Sequence, residues 1–408
     1  MTADASPLPR GGAIARAAEA WRKWWKVALL GFLTVGSYGL TVYSFGVIIG
    51  PVHESTGWSI GALSAGFTLS LLLGGVFGPL TGWLLDRFGG RPVMLGSLSA
   101  GSAFLLLAAS APSAPWFVVS WGIGGGIVSA GLFYSVTMAL TTRLFPGERV
   151  RAFAILAFIG GFAAVIYFPL AGLLIEVLPW RVAVRVMVLL LVLHVLPAAL
   201  LVSGGAAAPG ARRGTQVGIL ELLRTRNVVQ MMGMFSLAAM AFGAIQVHHV
   251  PAMTAAGASL GTATAIASAR GFLSLPGRAL LDPVIRRVGV PGSIGAVYVL
   301  MALGTLPLAA NGDIVWLFVF MVVTGFAFGT LSPLHGLYAA EVFGEQRIGT
   351  MMGMQSLIVG LVSATGPALI GLTVDATGGY RVAILATSGL FVAALVLLIT
   401  RPSRALIP

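Results

Sequence analysis

The chain has no cysteine, which excludes disulfide bonds and thiolate metal sites. Charge is almost as scarce. Asp, Glu, Lys and Arg make up only 9% of the residues, where soluble domains carry about 25%. With 58% of residues hydrophobic, no soluble core could hide so much apolar surface. Acid is the scarcest charge of all, and none sits deep in an apolar stretch: Glu176 and Asp375 fall near outer ends, Asp282 and Glu341 near inner ends. There is no P-loop and no His/Asp/Glu cluster at metal spacing, so neither a metal, a cofactor, an ATP drive nor an enzyme activity is expected. Gly122, Gly124, Gly125 and Gly126 could be read as a phosphate loop, but they lie within an apolar stretch and are expected to serve close helix packing.

What the chain does have is apolar length. Stretches recur at about 27–50, 59–85, 92–113, 116–142, 150–175, 180–203, 228–252, 260–285, 292–310, 314–340, 348–374 and 379–400. Each is near or above the roughly 20 residues that a spanning helix needs. The expected fold is therefore an all-α membrane protein of twelve helices.

The basic surplus follows the same plan. With both termini placed in the cytoplasm, 19 of the 24 Lys and Arg residues fall on cytoplasmic segments, the positive-inside pattern of a multi-pass protein of the cell (inner) membrane. Nucleic acid is thus not the expected partner of the net +12 charge; the lipid bilayer is. Trp21-Arg22-Lys23-Trp24-Trp25-Lys26 is expected to anchor the first helix at the interface, and the length of that helix argues for its retention rather than its cleavage as a signal peptide.

The sequence also repeats. Leu84-Leu85-Asp86-Arg87-Phe88-Gly89 recurs 200 positions on as Val284-Ile285-Arg286-Arg287-Val288-Gly289, and Trp180-Arg181-Val182-Ala183 recurs at the same offset as Tyr380-Arg381-Val382-Ala383. Arg143-Leu144-Phe145 with Glu148-Arg149 is echoed by Glu341-Val342-Phe343 with Glu345 and Arg347. Three matches at nearly one offset predict two six-helix halves that rock about a central site. The expected divisions are a cytoplasmic segment 1–26, a half at 27–203, a linker at 204–227, a half at 228–400 and a tail at 401–408.

Gly82-Trp83-Leu84-Leu85-Asp86-Arg87-Phe88-Gly89-Gly90-Arg91 resembles the signature between helices 2 and 3 of the major facilitator superfamily. Ser37-Tyr38, Trp58-Ser59, Trp180-Arg181, Arg278, Gly344-Glu345-Gln346-Arg347 and Gly366-Pro367 with Gly371 are similar to the monocarboxylate porter family, which includes bacterial oxalate/formate exchangers. The resemblance implies alternating access, with a small organic anion as substrate and a proton or a counter-anion as the coupled species. It also implies that Arg278 binds substrate and that Asp86, Arg87 and Arg91 belong to an inner latch. Two positions depart from the family: Ser274 stands where an Asp is usual, and Tyr38-Gly39-Leu40-Thr41-Val42-Tyr43 of the first helix has no cation where animal members carry a lysine.

A charge inside an apolar segment usually faces a cavity, because exposing it to hydrocarbon costs roughly 3 kcal/mol or more. Arg270 and Arg278 are such charges, about 80° apart around one helix, and an arginine fork suits a carboxylate. The competing reading of Arg278 is an i,i+4 pair with Asp282; that of Arg270 is snorkelling or packing. Tyr38, Tyr134 and Gln355 are further candidates for substrate contact, each with packing as the alternative. For a coupled proton the candidates are His248, His249 and Asp282, ahead of His194 and His335, a hydrogen-bonded structural role being the alternative. An exporter of amphipathic organic compounds and a transporter-like membrane receptor are the other functions the pattern admits.

Overall fold

The computed structural model describes residues 11–202, 226–310, 313–343 and 357–400. Twelve membrane helices lie among them: α1 Trp21–Thr56, α2 Ile60–Phe88, α3 Gly90–Ala109, α4 Ala114–Leu144, α5 Arg149–Val177, α6 Trp180–Leu201, α7 Arg226–Ala255, α8 Leu260–Ala279, α9 Leu281–Ala309, α10 Ile314–Ala339, α11 Leu357–Thr377 and α12 Tyr380–Ile399. Eleven of these are long and apolar enough to span a bilayer by composition. The exception is α8, which holds both Arg270 and Arg278.

The burial pattern is that of a membrane bundle. Leu303, Phe318, Val177 and Ile399 face outward, while Thr137, Ser37, His249 and Arg270 are enclosed. Lipid takes apolar side chains without penalty, so polar groups are placed where other helices can satisfy them. The four clustered glycines serve close packing as expected: α4 sets Gly124 against Gly101 of α3, and Gly125 and Gly126 against Ser70 and Leu73 of α2.

The repeat is visible in the backbone. Gly89, at the end of α2, and Gly289, at the bend within α9, stand at matching positions of the repeat with φ of 81° and 72°, a region open to glycine. Ser59 and Ser259 cap α2 and α8 by accepting the amides of Ala62 and Thr262. Gly257-Ala258-Ser259-Leu260-Gly261 has the spacing of a G-x-S-x-G nucleophile elbow, but its serine is this helix cap and no strand leads into it. Both α4 and α10 are interrupted at corresponding places, α4 at Phe133 and α10 at Gly329 and Thr330. Broken helices at matching points of two halves mark the centre of many transporters, since freed backbone is tolerated only around a cavity or inside protein.

Some boundaries differ from expectation. The first helix is longer than 27–50, because Trp21 to Lys26 continue the helix instead of preceding it. The eighth helix ends at Ala279, shortly after Pro276, instead of running on to Ile285. The helix that follows takes in Leu281 to Thr305 and bends at Gly289. Most of the linker, the tail, Gln355 and the Gly344 to Arg347 motif lie outside the described residues.

Candidate functional site

The central feature is Arg270. Three glycines bring its helix close to its neighbours: Gly271 sits against Ala164 of α5, Gly277 against the Phe326 carbonyl of α10, and Gly325 of α10 against Leu273. The Arg270 side chain is 1% exposed. Its Nε donates to Thr324 Oγ1 at 2.8 Å, and the guanidinium carbon lies 4.3 Å from the Phe328 ring centre and 5.3 Å from that of Phe320. Nη2 has no partner. Cation–π contact recovers about 2 kcal/mol when desolvated, less than the several kcal/mol a buried ion loses in leaving water. Among the described residues, no carboxylate pairs with it.

Arg278 is placed differently. It lies exposed in the last turn of α8, where the helix dipole favours a cation, and rests against Gly329 at the α10 break. The Arg278–Asp282 pair weighed in the sequence does not form, because Asp282 pairs with Arg286 on the following helix instead.

Facing these arginines is a tyrosine cluster on α1 and α4. Tyr38 stacks on Phe133 at 3.8 Å and lies 5.3 Å from Tyr134 at the α4 break. Between Tyr38 and Tyr43 the helix widens into a π turn, Gly39–Tyr43, a form frequent at functional sites. Tyr43 lies 5.4 Å from the Phe168 ring, which is 5.1 Å from that of His249, and His249 in turn contacts Phe320 beside Arg270, so Tyr43 joins the rings around that arginine. Tyr43 was not singled out from the sequence; the π turn that aims it leaves no spacing signal, since a 3.6-residue period points it elsewhere.

The two histidines part company. His249 stands between the Phe168 ring, 5.1 Å away, and the Phe320 ring, 6.0 Å away, and so joins the Arg270 site. His248 instead lies between the halves, with Nε2 2.8 Å from the Pro367 carbonyl and 3.4 Å from Ser64 Oγ. His335 pairs with Tyr298 at 2.8 Å inside the second half, and His194 bonds the Leu190 carbonyl of its own helix at 2.7 Å.

One side of the bundle is held shut across the halves. On the side bearing the α1–α2, α7–α8 and α11–α12 turns, called the far side, the Asp375 carboxylate accepts the amides of Ile60 at 3.0 Å and Gly61 at 2.8 Å. An anion at a helix N-terminus satisfies amides that have no partner within the helix. The contact is repeated about the pseudo-two-fold. Glu176 of α5 stands beside Gly261 of α8, and the packing of Gly371 on Ser64 is matched by that of Gly172 on Thr264.

On the near side, Asp86 pairs with Arg143 at 2.5 Å, within its own half, and Arg143 also donates to the Leu85 carbonyl. Arg87 lies over Trp83 and Phe88, and Arg91 is exposed. Among the described residues, the ion pair of Asp86 lies within its own half.

Known proteins resemble this chain in sequence and in fold. The chain is 29% identical over 156 residues to the oxalate:formate antiporter of Oxalobacter formigenes, a match spanning 38% of the chain and 36% of that protein. It is 32% identical over 136 residues to the 4-hydroxybenzoate transporter PcaK of Pseudomonas putida, covering 30% of each chain. Over 403 residues it is 28% identical to the transcription regulatory protein OpdE of Pseudomonas aeruginosa, with 93% of both chains covered. Among solved structures, the nucleoside transporter NupG superposes with a TM-score of 0.81 at 13% identity, covering 92% of this chain and 98% of that one, which shows a shared fold. The sequence profile of the Major Facilitator Superfamily matches residues 31–290 and 249–406. Two repeated six-helix halves, broken α4 and α10, a charged centre and that match together place the chain in the Major Facilitator Superfamily, as a multi-pass membrane transporter and not an enzyme.

Proposed function

We propose that this transporter moves small organic anions, monocarboxylates above all, by alternating access, and that Arg270 receives the carboxylate. One observation carries the reading: a buried guanidinium whose Nη2 has no partner, among described residues that place no carboxylate beside it. A substrate carboxylate supplies the missing charge and takes two parallel hydrogen bonds from the fork. Arg278, Tyr38, Tyr43 and Tyr134 line the approach. The far side is read as the outside of the cell, from the basic residues on the near side. Asp86, Arg87 and Arg91 then belong to the opposing gate. The names of two relatives, an oxalate:formate antiporter and a 4-hydroxybenzoate transporter, support an organic anion substrate. With no acid buried in the site, exchange against a second anion is the simplest coupling.

Uptake of labelled monocarboxylates into proteoliposomes tests this reading. Arg270→Ala is expected to abolish uptake, and Arg270→Lys to keep the charge but lose most of the rate. Full uptake by the alanine variant would refute the assignment. A second reading is favoured by the match to a regulatory protein over nearly the whole chain, in which ligand binding signals instead of driving flux. Binding without flux in the same vesicles would select it.

A further inference from the structure

The Arg270 site contains more unpaired hydrogen-bonding atoms than a carboxylate can use. His249 is fully buried, and its Nδ1 lies 2.7 Å from the Ile245 carbonyl one turn back. A carbonyl only accepts, so Nδ1 carries the hydrogen, and in the neutral ring Nε2 is left as a lone-pair acceptor. That Nε2 has no partner. Gln246, 5% exposed, has neither its Oε1 nor its Nε2 satisfied. Leaving such groups unpaired in the interior is costly, and the cost is sustained when a ligand completes them.

Both residues belong to one stripe of α7, whose Phe242 and His249 contact the rings that flank Arg270. Phe242, Gln246 and His249 are spaced i, i+4 and i+7, on one helical face. Phe242 stacks on Phe328 at 5.2 Å, and Phe328 carries the Arg270 guanidinium; His249 contacts Phe320, which flanks the same guanidinium. Gln246 lies between them on that stripe. Through Phe320, the Arg270 guanidinium and the His249 ring are no farther apart than about 11 Å, the sum of the two separations. Phe168 lies 5.1 Å from the His249 ring and 5.4 Å from that of Tyr43.

Resting on the reading that Arg270 receives the carboxylate, we propose that Gln246 and His249 form a second subsite that binds a hydroxyl, and that the substrate is a hydroxy-substituted aromatic monocarboxylate. The acceptors Gln246 Oε1 and His249 Nε2 need a donor, which a carboxylate lacks, so a second carboxylate there sets anion against lone pairs. An amine supplies donors but brings a cation next to Arg270. A hydroxyl donates to one acceptor and takes the Gln246 Nε2 hydrogen, and an aromatic ring matches the phenylalanine rings that flank Arg270 and His249. The far-side end of the site therefore selects against dicarboxylates and unsubstituted acids.

Binding of benzoate, 3- and 4-hydroxybenzoate and terephthalate to the purified full-length protein in lipid nanodiscs tests the subsite by calorimetry. A hydroxybenzoate is expected to bind at least tenfold more tightly than benzoate, and terephthalate more weakly than either. In Gln246→Leu and in His249→Phe the ratio of hydroxybenzoate to benzoate affinity should fall toward one. Loss of all ligands in proportion would mark both residues as merely structural and overturn the subsite, with the melting temperature of the unliganded variants reporting any folding loss. Equal binding of benzoate and both hydroxybenzoates by the wild type, or preference for terephthalate, would overturn it too, while Arg270-dependent benzoate binding left the carboxylate reading standing. If none of the acids bound, both readings would fail together.

Discussion

Asp375 and Gly61 meet across the two halves, the carboxylate of one accepting the backbone amide of the other at 2.8 Å. The bond closes the far side only while α11 and α2 are in contact there, and every cycle of alternating access must break it. Asp375→Ala removes the acceptor and leaves the first amides of α2 unpaired, a loss of about 1 kcal/mol and so about fivefold in the ratio of closed to open forms. Because the chain has no native cysteine, spin labels at Glu54→Cys and Ala376→Cys can report that ratio. An unchanged distance distribution would remove the contact from the gate.

The two arginines of α8 are expected to separate functionally. Arg270 is enclosed and Arg278 exposed, so Arg270→Ala should cost well over tenfold in substrate affinity. Arg278→Ala should cost less, and its effect should shrink as salt rises, since an exposed charge is screened within about 8–10 Å in ordinary buffers. Titration of a carboxylate ligand at two salt concentrations measures both; equal, salt-independent losses would contradict the distinction.

The π turn in α1 depends on Gly39, where a Cβ would run into the Tyr167 ring. Gly39→Ala is expected to destabilise the protein by about 1–3 kcal/mol, as overpacking does, and to weaken binding by displacing Tyr43. A melting temperature equal to wild type would show that the segment yields easily.

Asp86, an exposed carboxylate, pairs with Arg143 of its own half, so Asp86→Ala should cost only about 0.2–1 kcal/mol, and Arg143→Ala more, because it also gives up the bond to the Leu85 carbonyl. Charge exchange, Asp86→Arg with Arg143→Asp, should restore transport lost in Asp86→Arg alone. Failure of that rescue would mean that Asp86 serves a partner in the other half during the cycle.

Tyr298 and His335 are bonded inside the second half, away from the Arg270 site. Tyr298→Phe strands a buried imidazole nitrogen at a cost of about 1–3 kcal/mol. The expected result is a lower melting temperature with unchanged substrate affinity, checked by scanning calorimetry beside a binding titration. A changed affinity with no loss of stability would place His335 in the coupling path.

The sequence by itself determined the class of this protein. Scarce charge and twelve apolar stretches leave no alternative to a bilayer, and recurrence at an offset of 200 makes two halves. It also narrowed the site to α8, because a charge in an apolar segment needs a reason wherever it lies. Which of its two arginines is enclosed was decided only by the tertiary structure: α8 ends at Ala279, leaving Arg278 exposed at a helix end, while glycines of α8 and α10 let the two helices close over Arg270. Tyr43 and Gln246 were likewise beyond the sequence. A π turn aims the first, and the second stands out only as a buried amide without partners; pattern analysis records neither backbone offset nor what a neighbouring helix withholds. The same holds for Asp375, a residue near a helix end in the sequence and an N-terminal cap across the halves in space. Its partners lie more than 300 residues away, and only the packing of α11 on α2 brings them together.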